Sequence, residues 1–147
     1  MRIQPMVPRH ERNPALAYGL LRATLGLNIF FHGVSRIAQG PAVFANALVT
    51  MFARTQLPAG LVRSFGLTLP WVEALLGFLL LIGLRTRASL IGGALIILVL
   101  TFGTTLRQDW ETAGLQLIYA AIYATLLAFH EHDAYSADAL LSRRKRQ

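Results

Sequence analysis

The chain contains no cysteine. Disulfides, thiolate metal sites and dithiol redox chemistry by the chain alone are therefore excluded. Charge is scarce as well. Only 14% of the residues are charged, against about 25% in a soluble domain. A surface that meets water on every side needs more than that. What is present is apolar and basic: 54% hydrophobic residues, and 14 Lys and Arg against 7 Asp and Glu, for a net charge of +7. At 147 residues the chain has the length of a single domain, 1–147.

Four apolar stretches are long enough to cross a bilayer, over about 15–32, 67–84, 88–106 and 110–129. A helix needs about 20 mainly apolar residues to cross a hydrocarbon core, and about 17 is the lower limit. Lipid cannot satisfy free backbone groups, so segments of this kind must be helical. A soluble bundle would need polar outer faces, and Leu75 to Leu84 offers none. The expected fold is all-α: an integral membrane four-helix bundle, with a basic tail over 130–147.

The basic residues predict its orientation. Nine of them lie before the first span, in the Arg85–Arg87 turn or at the chain end, and four (Arg36, Arg54, Arg63 and Arg107) lie on the other side. Cytoplasmic loops carry the excess of Lys and Arg, which places both termini in the cytoplasm. The chain is expected in the inner (cytoplasmic) membrane as a multi-pass protein, with the lipid bilayer as its first partner. The first span is too long for a signal-peptide core and reads as retained. Arg143, Arg144, Lys145 and Arg146 follow a membrane span, so they read as an orientation signal touching anionic headgroups. Nucleic acid is not an expected partner.

The long connection between the first two spans, Gly33 to Gly66, holds a second kind of helix. Pro41 suits a first turn. Val43, Phe44, Ala47, Leu48, Met51 and Phe52 then form one apolar stripe. This predicts a short amphipathic helix in the outer loop, lying on the bundle end as a lid, a gate or a docking surface. Pro58 and Pro70 are expected to break and restart the chain before the second span. Gly19, Gly26 and Gly33 put a small face along span one, where another backbone can approach closely. Ser89 with Gly93 on span three, and Ala120 with Ala124 on span four, make small-xxx-small pairs, which also point to helix packing.

Ionisable residues at membrane depth need partners. Counted from the expected outer ends, Arg22 and Glu73 differ in depth by about 6 Å, within reach of an Arg side chain. A buried Arg22–Glu73 pair is predicted. Asn28 and His32 share a face of span one. Thr101, Thr104, Thr105 and Gln108 form a stripe on span three, and Thr112, Gln116, Tyr119 and Tyr123 another on span four. If these converge, they line a polar pocket open to the outer side, with Glu73, His32 and Arg22 as candidate catalytic groups. Asn28, Thr104, Gln116 and Tyr119 are candidates to bind a cofactor. The plainer alternative is that Thr hydroxyls bond to their own helix and Gln and Tyr hold helices together. No metal is expected, since the spacing of His130, Glu131, His132 and Asp133 does not match a helical His-x-x-x-His site.

One set of residues points to a known family. Arg22 followed by Ala23, Thr24, Leu25, Gly26 and Leu27 comes first. His32-Gly33 with Arg36 three further on follows, then Glu73 and Gly77, Leu80 to Gly83, and Thr86-Arg87. Together they resemble the DoxX/DoxD family of small four-helix membrane proteins, over about Leu20 to Leu127. The family more often has Lys at the position of Arg36. The resemblance implies a membrane subunit linked to thiosulfate:quinone oxidoreductase or to redox-stress complexes. It makes Arg22, His32 and Glu73 candidates for a quinone-side or substrate-side site. The chain shows no haem ligand pair and no flavin fingerprint, so a membrane quinone or a redox protein partner would carry the electrons. Two other functions remain open: a non-enzymatic membrane scaffold using its small-residue faces, and a small-solute or proton carrier, which would need a homo-oligomer.

Overall fold

In a computed structural model, residues 9–144 are described, and among them the chain is all-helical with no strand. Arg2, Lys145 and Arg146, counted above for orientation, lie outside the described residues. The helices are α1 (Arg9–Gln39), α2 (Pro41–Phe52), α3 (Ala59–Ile82), α4 (Thr86–Leu106), α5 (Trp110–Ala128) and α6 (Ala137–Arg144), with a 3-10 turn at His130–His132. Four of them, α1, α3, α4 and α5, are long and apolar enough to cross a membrane. They run antiparallel in sequence, so α2 lies at one end of the bundle and α6 at the other.

Two expected boundaries shift. The first helix runs on to Gln39, and α3 starts at Ala59 rather than near Leu67. Pro70 lies inside α3 and does not interrupt it. Pro58 is the residue that sets the start, in an extended conformation as N-cap. A proline inside a helix forfeits one backbone hydrogen bond. Here Pro70 is buried against α1, where close packing holds the helix together.

The outward faces confirm that this bundle is built for an apolar surround. Leu98 and Leu117 are 65% and 62% exposed, and Leu75, Leu95, Phe102 and Ile118 also face outward. The interior is a thin seam of Tyr18, Leu25, Ile29, Leu80, Leu90, Ile97, Tyr123 and Leu126. Without a hydrophobic drive between helices, close backbone contact has to supply the packing.

The α1–α3 contact supplies it. A Cβ on Gly26 would fall 2.5 Å from the Leu81 backbone nitrogen, and one on Gly33 would fall 2.5 Å from the Pro70 carbonyl oxygen. From the other side, a Cβ on Gly77 would overlap the backbone of Ile29 and Phe30. Gly19 behaves differently, facing the Tyr135 side chain at 3.6 Å. Gly93 leaves room for the Tyr123 ring rather than for a backbone, and Ala124 is exposed. Small residues thus serve backbone approach on α1 and α3, and ring packing on α4.

Tight turns close the other pairs. Gly83 ends α3 in the left-handed region (φ 71°), with Leu84 N–H donating to the Leu79 carbonyl at 2.9 Å and Gly83 N–H to Leu80 at 3.2 Å. Arg85, also left-handed at φ 49°, starts α4. At the far end Asp109 caps α5, its carboxylate accepting from the Thr112 amide at 3.2 Å and the Thr112 hydroxyl at 2.9 Å.

Two outcomes follow for stability in mild detergent. Gly77→Ala should force α1 and α3 apart and cost about 1–3 kcal/mol. Gly114→Ala, where an added Cβ meets nothing within 4 Å, should be neutral or gain up to about 1 kcal/mol of helix propensity. Thermal melts of both variants check the pair. Asp109 gives a pH test. Its hydrogen bonds from Thr112, with the Arg107 guanidinium nearby, hold its carboxyl below the usual aspartate value. Such a group adds stability above its unfolded value of about 3.9 and loses it as pH falls through the lower folded value. The difference in melting temperature between the wild type and Asp109→Ala should be full at neutral pH and shrink below about pH 4.

Candidate functional site: a cavity beneath the short helix

The α2 end of the bundle is hollow. A cavity of about 360 Å³ lies under α2, between the first half of α3 and the last turns of α4. Phe44, Leu48, Met51 and Phe52 of α2 form its roof, and Leu61, Phe65, Leu69, Val99 and Leu100 contribute to its walls. Met51, Leu61, Val99 and Phe102 are at least half exposed or close to it. The rim therefore opens sideways, between α3 and α4, towards the apolar surround.

The amphipathic pattern of α2 explains the roof. Ala45, fully buried, sits on Gly66 of α3, whose missing side chain lets the two backbones meet. The stripe on either side of Ala45 then hangs over the gap. Two guanidinium groups fasten it: Arg36 lies over the Phe44 ring at 4.5 Å, and Arg107 over Phe52 at 5.4 Å. Cation–π contacts of this kind contribute about 0.5–2 kcal/mol each.

Five polar residues reach the cavity: Arg36, Thr104, Arg107, Thr112 and Gln116. Both cations are neutralised. Arg36 forms an ion pair with the buried carboxylate of Glu73, and Arg107 lies 3.5 Å from Asp109. The Thr104 hydroxyl donates to Gln116 Oε1 at 2.8 Å, which leaves the Gln116 amide N–H groups available. The arrangement offers hydrogen-bond donors around an apolar space with no net local charge.

The residues expected to form a site do not come together in one place. Thr104 and Gln116 line the cavity and bond to each other. Glu73 is buried behind it and acts on it through Arg36. Asn28 and Tyr119 meet elsewhere, the Tyr119 hydroxyl donating to Asn28 Oδ1 at 2.9 Å and joining α1 to α5. His32 is exposed, and its carbonyl accepts from the Ser35 hydroxyl at 3.1 Å. Thr101 and Thr105 bond back to their own helix, at 2.8 and 2.9 Å.

Arg22 is the main correction. It does not pair with Glu73. It lies at the opposite end, 3% exposed, where it donates to the carbonyls of Leu80, Leu81 (3.3 Å) and Tyr135 (2.7 Å), with its Nε 3.4 Å from Asp133. The expected pair rested on an outer end of span one near His32. The helix continues seven residues further, about 10 Å, and this brings Arg36 level with Glu73. Arg22 instead satisfies the last carbonyls of α3, where the negative end of the helix dipole favours a cation. Gly83 makes room for it, since a Cβ there would fall 2.8 Å from the guanidinium.

The segment after α5 is also more than a tail. Asp138 accepts from the Arg85 amide at 2.9 Å and the Thr86 amide at 2.8 Å, and its own amide donates to the Gly83 carbonyl at 3.0 Å. With Arg22 holding Asp133 and Tyr135, the segment clasps the α3–α4 turn. The His130 ring faces the Tyr18 hydroxyl at 3.3 Å, and His132 lies 3.6 Å from Glu131. Sequence reasoning missed this clasp, and it missed Arg36, Arg107, Phe44 and Phe52 as a group. The signal for Arg36 was present: it is the only basic residue near the end of α1 that can meet a carboxylate on α3.

Double-mutant cycles read these pairings directly. Arg36 with Glu73, and Arg22 with Asp133, should each show a coupling of about 0.5–3 kcal/mol, whereas Arg22 with Glu73 should be additive within about 0.5 kcal/mol. Single removal of Arg22 should cost about 3–5 kcal/mol, because it strands a buried carboxylate. Detergent unfolding of the four single and three double variants measures all three couplings.

Compared with family models, curated proteins and solved structures, the chain matches none of them.

Proposed function

We propose that this chain is a DoxX-like subunit of the cytoplasmic membrane that holds a membrane quinone for a redox protein partner. The observation that carries this reading is the cavity beneath α2, with neutral balance, apolar walls and several donors. A volume of about 360 Å³ is at the lower end of the range for small-molecule sites, about 300–1,000 Å³. It is enough for a ring headgroup and the first part of an alkyl chain. A quinone ring presents two carbonyl acceptors and no charge. Arg36, Arg107 and Gln116 can donate to such oxygens while each cation keeps its carboxylate partner. A fatty-acid carboxylate would bring a third negative charge into a place where both positive charges are already matched. The sideways opening between α3 and α4 suits a ligand that arrives from the membrane.

In this reading Glu73 is a positioning residue. It fixes Arg36 and carries the counter-charge, and it does not touch the ligand. Electrons come from or pass to the partner, since the chain has no redox-active side chain of its own beyond its tyrosines and tryptophans. The termini face the cytoplasm, as the distribution of Lys and Arg favours, so the cavity faces the outer leaflet. A scaffold function has less support, because Gly26 and Gly33 already pack against α3.

Purification in mild detergent followed by solvent extraction should recover quinone with the wild-type chain. Leu48→Trp, which fills the cavity from the roof, should abolish it. Gln116→Leu should weaken binding of a short-chain benzoquinone about tenfold, the equivalent of one hydrogen bond of about 1.4 kcal/mol. Absence of extracted quinone, together with unchanged melting of the wild type when the short-chain benzoquinone is added, would overturn the reading.

A further inference from the structure

The opposite end of the bundle carries a second cleft of different chemistry. A cavity of about 650 Å³ lies between Leu84, in the α3–α4 turn, and α6, whose Ala137, Leu140, Leu141, Arg143 and Arg144 form its other side. Leu140 and Leu141 are 65% and 49% exposed. Arg143 and Arg144 are exposed on the same short helix, and among the described residues neither pairs with a carboxylate. Arg85 and Arg87, also exposed, add positive charge on the adjacent turn.

The contrast with the α2 end is informative. There every cavity guanidinium has a counter-charge; here two have none. An isolated helix needs about 12–15 residues to be even marginally stable, and α6 has eight. Asp138 ties its first turn to the amides of Arg85 and Thr86. Among the described residues, no hydrogen bond or ion pair ties its second turn, with the leucines and arginines, to another helix. The helix is thus fixed at the level where the spans end, with apolar side chains turned to one side of a cleft and unpaired cations at its mouth.

We infer that this cleft binds one anionic phospholipid, its phosphate against Arg143 and Arg144 and an acyl chain along Leu84, Leu140 and Leu141. Guanidinium groups form bidentate hydrogen bonds to phosphate, and a leucine-lined groove takes a hydrocarbon chain without loss of hydration. The bound lipid bridges the second turn of α6 to the α3–α4 turn and completes the clasp begun by Arg22 and Asp138. This site is independent of the cavity beneath α2, and of which leaflet the termini face.

The test uses the full chain in nanodiscs of phosphatidylcholine, alone or with phosphatidylglycerol. Hydrogen exchange reports on α6, and native mass spectrometry counts retained lipid. Phosphatidylglycerol should slow exchange across Ala139 to Arg144 and remain bound after release from the disc. Replacing both cations (Arg143→Gln with Arg144→Gln) should weaken its retention about thirtyfold, from about 1 kcal/mol for each arginine near an anionic surface. Leu140→Ser with Leu141→Ser should also abolish retention, since the chain loses its groove. Equal exchange of wild-type α6 in both kinds of disc would overturn the inference. So would full retention by the leucine variant, which would indicate a diffuse surface field. Reproduction of the whole effect by inorganic phosphate in phosphatidylcholine discs would do the same, because a free anion would then suffice.

Discussion

Arg22 and Arg36 stand on one helix, about 21 Å apart along its axis, and each meets a buried carboxylate from another part of the chain. Arg36 meets Glu73 of α3, and Arg22 meets Asp133 beyond α5. In an apolar surround a charge left alone is far more costly than a charge that is paired. These two pairs therefore fix the height of α1 against its neighbours at both ends. Between them Gly26, Gly33 and Gly77 let α1 and α3 touch backbone to backbone. A slide of one helix past the other by a turn would break both pairs and drive side chains into these glycines. Everything else is arranged around that fixed pair of helices.

Much of this was legible in the sequence. Four apolar runs separated by short basic or proline-containing connections could only be helices of membrane length, and the stripe from Val43 to Phe52 could only be amphipathic. The packing of Gly26 and Gly33 was signalled by their spacing, which Gly19 shares without meeting a backbone. The partner of each buried charge was not. Hydropathy marks where lipid is met, not where a helix ends, and α1 carries its polar final turns, with Ser35, Arg36 and Gln39, well past its apolar part. An error of seven residues in that end exchanged Arg36 for Arg22 as the partner of Glu73. The clasp at Asp133 to Asp138 was hidden for a related reason. Its hydrogen bonds go to backbone groups of Gly83, Arg85 and Thr86, and a backbone partner leaves no mark in a sequence.

The candidate residues sorted themselves by what each could bond to nearby. Thr101 and Thr105 satisfied their own helix, and Tyr119 found Asn28. Of the two polar stripes, Thr104, Thr112 and Gln116 reached the cavity. Periodicity predicts which residues share a helix face. It does not predict how far the neighbouring helix stands from that face, and that distance decides whether a polar stripe becomes a contact or a lining.

The position of the cavity follows from the connections. The α3–α4 turn is at the α6 end, closed by Gly83 and locked by Asp138 and Arg22. The α4–α5 turn is at the other end, closed around Gln108 and Asp109. The chain thus links α3 to α4 at one end only, and nothing covalent holds them together where α3 begins and α4 finishes. There the two helices stand apart and the space is roofed by α2 instead. The roof is attached by Ala45 on Gly66 and by the rings over Arg36 and Arg107. Those same guanidinium groups are the donors that face the cavity. On the proposed reading, a ligand oxygen that draws on Arg36 or Arg107 would act on the contacts that hold α2 in place, and occupancy of the cavity and the position of its roof would be one equilibrium.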